Sequence, residues 1–312
     1  MKKRIGIIGL GHISGKYKLG LEQSPVFSLI SVCDISPNAI NVGLYNQYPF
    51  YQDFEKMITE EKLDYVLIST PPRLHYEMAL RCLELGCHVL LEKPGALKLD
   101  DLIFLIEYAK KKEKTIDVIY HWRYGNEVLF LERNLSTFGK IKSISINITD
   151  PYLIKPQTID KSYYGLEGCW IDSSFNFLSL LALLIPLKSI VVLKHLSRYD
   201  SVAGLPFESQ VHMKADDILI NVKISWRMKK NRKVTVIETD KGHIEINHSE
   251  QAIYMNNEII FQQNGIERLS THYHNYFQLY GKSMQPFVDT LTVHQIALAE
   301  KDIRRSKNAK KR

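Results

Sequence analysis

The chain contains no apolar stretch of the ~20 residues that a membrane span needs. The longest, Phe177 to Leu187, is broken by Ser179 and Pro186 and is followed at once by Lys188. No membrane partner is therefore expected. Cysteine is scarce: Cys33, Cys82, Cys87 and Cys169 are the four in 312 residues, and no two form a C-x-x-C pair. That excludes a disulfide scaffold, and buried reduced thiols are expected. His272 and His274 stand two apart, which suits a metal only on a strand, and no Cys, Asp or second His pair completes a set. No metal is expected. The N-terminal Lys2-Lys3-Arg4 leads into a short apolar run with no small-residue cleavage site, so no signal peptide is read and a cytoplasmic location is expected.

A basic face is also lacking over most of the chain. The net charge is +7, but residues 301–312 hold seven positive side chains and one negative, so the other 300 residues are about neutral. Nucleic-acid binders carry their charge on a folded face. This tail reads as a solvated end, and no nucleic-acid partner is expected. Hydrophobic residues make up 45% and charged residues 24%, ordinary values that exclude a disordered or fibrous chain. The length suits about two domains.

The first ~120 residues alternate between two periods. Arg4 to Gly9, Val26 to Cys33, Asp64 to Ser69, His88 to Leu91 and Thr115 to Tyr120 are continuous apolar runs, as expected of strands covered on both faces. Helical stretches lie between them. Ser36-Pro37 predicts one by its N-cap and first-turn proline. Pro72 to Leu85, ended by Gly86, and Leu99 to Lys112, ended by lysines, predict two more. Strand–helix alternation of this length predicts a doubly wound parallel sheet. After residue 122 the rhythm changes. Asn126 to Thr137 and Asp172 to Ile185 read as helices, Ile141 to Thr149 as a strand. From 188 to 263 six strand-like runs follow (188–196, 209–215, 218–226, 233–239, 243–247, 252–262), and then helical stretches near 270–282 and 286–308. The fold class read is α/β: an N-terminal Rossmann sheet over 1–122, then an α+β domain over 123–312 with a mostly antiparallel, open-faced sheet, a C-terminal helix and the basic tail.

The first strand runs straight into Gly9-Leu10-Gly11-His12-Ile13-Ser14-Gly15. Gly9 permits a tight turn and Gly11 a close approach of a pyrophosphate to the backbone; Ser14 replaces the third glycine of the usual fingerprint. Asp34 ends the second strand 23 residues after Gly11, where a carboxylate accepts hydrogen bonds from ribose hydroxyls. A dinucleotide is the reading, with Gly9, Gly11, His12, Ile13 and Asp34 as contacts; a methyl donor such as S-adenosylmethionine is the competitor. A 2′-phosphate ~4 Å from the Asp34 carboxylate costs several kcal/mol. Ile35 and Ser36 offer no cation in return, so NAD is expected over NADP.

Two further segments close predicted parallel strands: Ser69-Thr70-Pro71-Pro72-Arg73-Leu74-His75 and Glu92-Lys93-Pro94. Open α/β sheets bind ligands at such carboxyl ends. Taken singly, Glu92 and Lys93 also fit a surface ion pair and His75 a solvent-facing helix position. With Gly9 and Gly11, however, this set resembles the glucose–fructose oxidoreductase / inositol 2-dehydrogenase / rhizopine-catabolism oxidoreductase family, over nearly the whole chain. The resemblance implies that Lys93 reaches both nicotinamide and substrate hydroxyl. It implies that Thr70, Pro71, His75 and Glu92 surround the cofactor and that Arg123, after Trp122, flanks the nicotinamide.

The family also carries an aspartate and, four residues later, its acid/base histidine at one helix start. Here Asp172 matches, but Asn176 stands in the histidine's place. An amide binds a hydroxyl and cannot take its proton. Three repairs stand: Lys93 as base, favoured here, with no histidine-like group in the pH profile; a tyrosine from Tyr163-Tyr164; or a substrate that needs no strong base. His121 is another polar candidate for the substrate side. The function implied is NAD-dependent hydride transfer at a carbinol or carbonyl carbon of a sugar, sugar derivative or cyclic polyol, by Lys93, Asp172 and Asn176. The alternative is a non-catalytic NAD-binding sensor of the same fold. The resemblance further implies a homodimer or homotetramer joined through the open sheet face.

Overall fold

The computed structural model describes the backbone of residues 1–265, 267–282 and 288–309, and side chains as far as residue 299. The basic side chains expected to be solvated at 301–312 lie outside the described ones. The chain forms two compact units, residues 1–121 with 269–287, and residues 122–268 with 288–312. The division read from sequence, at residue 122 alone, assigned 269–287 to the second domain; in the structure they group with the first unit.

In the first unit a six-stranded parallel sheet is built from β1 (Lys3–Ile8), β2 (Phe27–Cys33), β3 (Phe50–Tyr51), β4 (Tyr65–Ile68), β5 (His88–Glu92) and β6 (Ile116–Ile119), in the order β3-β2-β1-β4-β5-β6. The chain reverses its winding between β1 and β4, and ligands bind at such a switch point. Val66, Leu67 and Ile68 on β4 and Val89, Leu90 and Leu91 on β5 are fully buried. This is why their runs are continuous rather than alternating. The helices are α1 (Lys18–Glu22), α2 (Phe54–Glu61), α3 (His75–Glu84) and α4 (Leu99–Lys111).

The helix expected at Ser36-Pro37 does not form. Ser36 N–H donates to Asp34 Oδ1 and Asn38 N–H to Ser36 Oγ, which closes turns, and only a 3₁₀ turn follows at Val42–Tyr45. The segment has no apolar stripe to bury, since Ile40 and Leu44 are exposed, and helices of this length depend on such burial. Two elements that the sequence reading passed over are present. β3 has only two residues. α2 is capped by Asp53, whose Oδ1 accepts from Glu55 and Lys56 N–H. The stretch after the glycine turn is also shorter than a full helix: a 3₁₀ turn at Ser14–Lys16 precedes the five-residue α1.

The second unit holds α5 (Asn126–Asn134), β7 (Ile141–Pro151), a small hairpin of β8 (Leu153–Lys155) and β9 (Thr158–Ile159), and the apolar α6 (Cys169–Leu184). Its remaining strands are β10 (Ile190–Tyr199), β11 (Pro206–Ala215), β12 (Ile218–Ser225), β13 (Arg227–Thr239), β14 (His243–Asn247), β15 (Ala252–Met255) and β16 (Glu258–Gln262). Eight of these strands form one sheet, ordered β10-β11-β12-β7-β13-β14-β15-β16. It is antiparallel except where β12 runs parallel to β7. Ile144, Ile146 and Ile148 of β7 are buried, while Ser145 and Asn147 face outward, the alternation of a half-covered sheet. The single run read over 252–262 is two strands, because Asn256 and Asn257 both take positive φ and turn the chain. Then α7 (Arg268–Leu279) leads into the first unit and α8 (Thr290–Ala309) closes the chain. Among the described residues no helix is long and apolar enough to cross a membrane.

Candidate active site

In the first unit, the glycine turn leaves β1 at the switch point. Gly9 has φ +96°, and a Cβ there would lie 2.9 Å from the Ser69 carbonyl carbon and the Thr70 nitrogen. Only glycine lets the ends of β1 and β4 come this close. At Gly11 a Cβ would meet no protein atom within 4 Å, so the backbone there is open to a ligand. Ser14, in the third glycine's place, is buried and donates from Oγ to the Gly11 carbonyl at 2.8 Å. His12 is exposed and Ile13 half-buried. Asp34, at the end of β2, accepts from Leu10 N–H through Oδ2 and from Ser36 N–H through Oδ1, each at 2.8 Å. A carboxylate oxygen accepts more than one hydrogen bond, so the group is aimed beside the glycine turn and keeps lone pairs for ribose hydroxyls.

The segments that end β4 and β5 are tied by His75. It is fully buried, with Nδ1 2.7 Å from the Pro94 carbonyl oxygen and Nε2 2.8 Å from that of Thr70. This replaces the solvent-facing alternative. Burial pulls its pKa below the usual histidine value, against the two carbonyls, which favour the charged ring. Thr70 is half-buried and Pro71 exposed at that edge.

Glu92 is likewise no surface group. It is buried, and its Oε1 accepts from Tyr17 Oη at 2.9 Å and from Tyr273 Oη at 2.6 Å. Burial raises its pKa, and the two phenols and the Lys93 charge oppose the rise. Lys93, half-buried, follows immediately, its N–H 3.3 Å from Glu92 Oε2. Glu92 thus anchors the strand end that presents Lys93. On the neighbouring strand end, His121 is buried with Nδ1 3.0 Å from Nδ1 of His272 on α7.

In the second unit, Gly168 starts α6 with φ +91°, and a Cβ there would lie 2.4 Å from Pro206 Cδ. Asp172 follows in the first turn, half-buried, its N–H on the Gly168 carbonyl at 3.0 Å. Asn176 lies four residues on, on the same helix face. It is 6% exposed, and its Oδ1 has no partner among the described residues. Tyr163 stacks on Tyr152 with ring centroids 3.9 Å apart, and Tyr164 is half-buried beside it in the 3₁₀ segment Lys161–Leu166. Arg123, expected at the cofactor, belongs to this unit, where it is buried and donates to Glu132 at 3.0 Å.

A buried polar group beside Asp172 has no counterpart in the sequence reading. Lys233 Nζ on β13 donates to Asp150 Oδ1 at 2.6 Å and to Asn231 Oδ1 at 2.9 Å. Burial lowers the Lys233 pKa and raises that of Asp150, each opposed by the other's charge, and the Asp172 carboxylate acts on both. Nearby, His248 bridges Glu127 and Thr235 at 3.1 and 3.0 Å. Tyr17, Tyr273, His272, Lys233 and Asp150 carry no local motif; each reads as core or surface until its partner is known. Among the described residues no group of three or more His, Cys, Asp or Glu is placed to hold a metal.

Comparison with known proteins bears on the family and the fold. Residues 3–120 match a family described as "Oxidoreductase family, NAD-binding Rossmann fold". D-glucoside 3-dehydrogenase of Escherichia coli (strain K12) is 31% identical over 125 residues, 39% of this chain and 36% of that protein. Myo-inositol 2-dehydrogenase of Thermotoga maritima is 26% identical over 155 residues, 47% and 46% of the two chains. The chain spans less than half the length of these curated relatives. The similarity of fold extends further. A levoglucosan dehydrogenase solved with NADH superposes over 98% of this chain and 97% of its own, with a TM-score of 0.82 at 16% identity. UDP-N-acetylglucosamine 3-dehydrogenase from Acidithiobacillus ferrooxidans does so over 97% of each chain, with a TM-score of 0.78 at 17% identity.

Proposed function

We propose that the chain is an NAD-dependent oxidoreductase of the glucose–fructose oxidoreductase / inositol 2-dehydrogenase / rhizopine-catabolism family, acting on a sugar, sugar derivative or cyclic polyol, a reading supported by the match of residues 3–120 to an oxidoreductase family with an NAD-binding Rossmann fold. The observation that carries this reading is the gathering of Gly9, Gly11, Asp34, Thr70 and Lys93 at the carboxyl ends of β1, β2, β4 and β5, around the switch point. NAD, when bound, supplies the hydride acceptor. The open backbone at Gly11, with His12 and Ile13, takes the pyrophosphate; Asp34 takes the ribose hydroxyls; Thr70 and Pro71 flank the rest. Glu92 and His75 hold that edge in shape from within. Lys93 orients the substrate hydroxyl and takes its proton. Asp172, Asn176, His121, Tyr163 and Tyr164 bind further hydroxyls. The dehydrogenase names of the relatives support the substrate class.

Association into a homodimer or homotetramer through the open sheet face belongs to the same reading. Val191, Leu196 and Leu219 are exposed there, in register with Ser143 and Asn147. The sensor alternative is favoured by one observation, the buried amide of Asn176 where an acid/base histidine would stand.

The test is NAD reduction with a panel of sugars and polyols, for wild type and Lys93→Met. The variant is expected to keep NAD affinity within a few-fold and to lose turnover by ~10²-fold or more, the lower end of acid–base effects. Near-normal turnover in the variant reduces Lys93 to a surface charge. NAD binding without turnover on any member of the panel leaves the sensor.

A further inference from the structure

Outside residues 301–312 the chain is about neutral in sum, but the second unit does not spread its charges evenly. A groove of about 1120 Å³ runs over β7, β12 and β13 on the open face of the large sheet. Lys223, Arg227, Lys229, Lys230 and Arg232 line it, against one carboxylate, Glu245. Arg227 stands 3.5 Å from Glu208 and Arg232 3.9 Å from Glu245, both long contacts. The side chains of Lys223, Lys229 and Lys230 are exposed and make no hydrogen bond or ion pair with any described residue.

This array is built into the strand. Arg227 pairs with Pro151 of β7 and Arg232 with Thr149, so Met228 to Asn231 stand opposite the single residue Asp150. Extra residues of this kind bend a strand and re-aim its side chains. Buried groups hold the bulge from beneath. Asn231 Nδ2 donates to Asp150 Oδ1 at 2.6 Å, Lys233 Nζ donates to Asn231 Oδ1 at 2.9 Å, and Thr149 Oγ1 donates to the Lys230 carbonyl at 3.0 Å. Asp150 is only 1% exposed, so water does not compete for this anchor. The floor beside the cations is apolar: Ile146 and Val234 line the groove and are buried. A cleft lined by one sign of charge over a floor of low dielectric concentrates counter-ions.

The placement of the cations selects the kind of anion. Lys223 of β12 is in register with Asn147 of β7, while Arg232 and Arg227 of β13 are in register with Thr149 and Pro151. The backbones of β12 and β13 lie two strand spacings apart, about 9.6 Å. An anion with several charges in a row meets cations on both strands where they stand. A single phosphate would have to gather like charges around itself, against their repulsion. A second copy of this chain fits poorly, because an isologous contact brings the same excess of cations from both sides. Val191 and Leu219, given above to the dimer contact, are in register with Ser143 at the opposite end of β7.

We propose that this groove binds a small molecule carrying two or more linked phosphate groups, with Lys229 and Lys230 on the bulge, Lys223 across the groove, and the guanidinium forks of Arg227 and Arg232 along the row. The groove belongs to the second unit and the glycine turn to the first, and the proposal does not depend on the oxidoreductase reading.

The probe is inorganic tripolyphosphate, titrated calorimetrically into the protein with NAD at saturation, so that phosphate uptake at the glycine turn is not counted. One tripolyphosphate per chain is expected, held at least ~10-fold tighter than orthophosphate. Its affinity is expected to fall at least ~10-fold between ~0.1 and ~1 M salt, because exposed charges are screened. Lys229→Gln/Lys230→Gln is expected to weaken it at least ~10-fold by removing two charge-assisted contacts, with NAD affinity unchanged. A variant with the basic residues of 301–312 replaced by Gln is expected to bind as wild type does. No uptake, equal affinity for orthophosphate, or loss in the tail variant but not in Lys229→Gln/Lys230→Gln overturns the proposal. So does a wild-type dimer that excludes tripolyphosphate and separates in Lys229→Glu/Lys230→Glu, which gives the groove to a second copy. A chain that takes up tripolyphosphate here and oxidises nothing keeps this site and loses only the oxidoreductase reading.

Discussion

At the scale of single residues, the proposed preference for NAD over NADP turns on Asp34. Its two oxygens are each held by a backbone N–H at 2.8 Å, so the carboxylate is fixed beside the glycine turn and does not swing away from an approaching 2′-phosphate. At ~4 Å, each phosphate charge is opposed by several kcal/mol at intermediate dielectric. Ile35 is exposed and apolar, and offers no compensating cation. NAD is expected to bind at least ~10-fold tighter than NADP, a difference of about 1.4 kcal/mol. Fluorescence titration with the two cofactors decides it, and equal affinities refute the role given to Asp34.

At the scale of elements, the main question is what holds α7 to the first unit. Tyr17 and Tyr273 meet edge to face with centroids 4.8 Å apart, and both donate to the same Glu92 oxygen. Gly20 in α1 leaves room for this contact: a Cβ would lie 2.7 Å from Phe277 Cδ2 and 2.9 Å from the Tyr273 carbonyl oxygen. Tyr273→Phe keeps the ring packing and removes the shorter of the two donors to a buried carboxylate. Hydrogen bonds to charged groups are worth about 1.5–3 kcal/mol, so the thermal midpoint is expected to fall by several degrees. On a Glu92→Gln background the same change should cost less, because the acceptor is no longer charged. An unchanged midpoint for Tyr273→Phe in both backgrounds would show that packing alone seats the helix.

For the whole molecule, acid stability follows from buried imidazole. His294 on α8 is fully buried, and burial pushes its pKa from 6.5 down to about 4, against one backbone carbonyl at Thr290. The unfolded chain takes up this proton as pH drops below 6.5, while the native state resists it until about 4. The stabilising contribution is therefore complete above pH 6.5 and is lost progressively down to about 4. The loss is of the order of 3 kcal/mol. The carboxylates with lowered pKa, such as Asp160 and Asp289, start from 3.8 and act in a more acid window. His294→Leu is expected to flatten the dependence of denaturation midpoint on pH between 6.5 and 4; an unaltered slope would place the acid sensitivity elsewhere.

The sequence by itself determined what depends on neighbours along the chain. Apolar runs gave β1, β2, β4, β5 and β6, because a strand covered on both faces has no polar alternation. Gly9, Gly11 and Asp34, and Lys93 after Glu92, were legible because each sits where a strand ends, and the parallel order brings strand ends to one edge. The spacing of Asp172 and Asn176 was legible as one turn of one helix. Tertiary structure decided the rest. It left Ser36-Pro37 in turns, since that segment had nothing apolar to bury, and it set β12 parallel to β7 within an otherwise antiparallel sheet. It returned α7 to the first unit and joined Tyr273 to Glu92 across 181 residues, His272 to His121 across 151, and Lys233 to Asp150 across 83. A tyrosine or histidine on an amphipathic helix looks like any core residue, because its significance lies in the partner's unmet hydrogen bond or charge. That partner is fixed only when distant segments pack together.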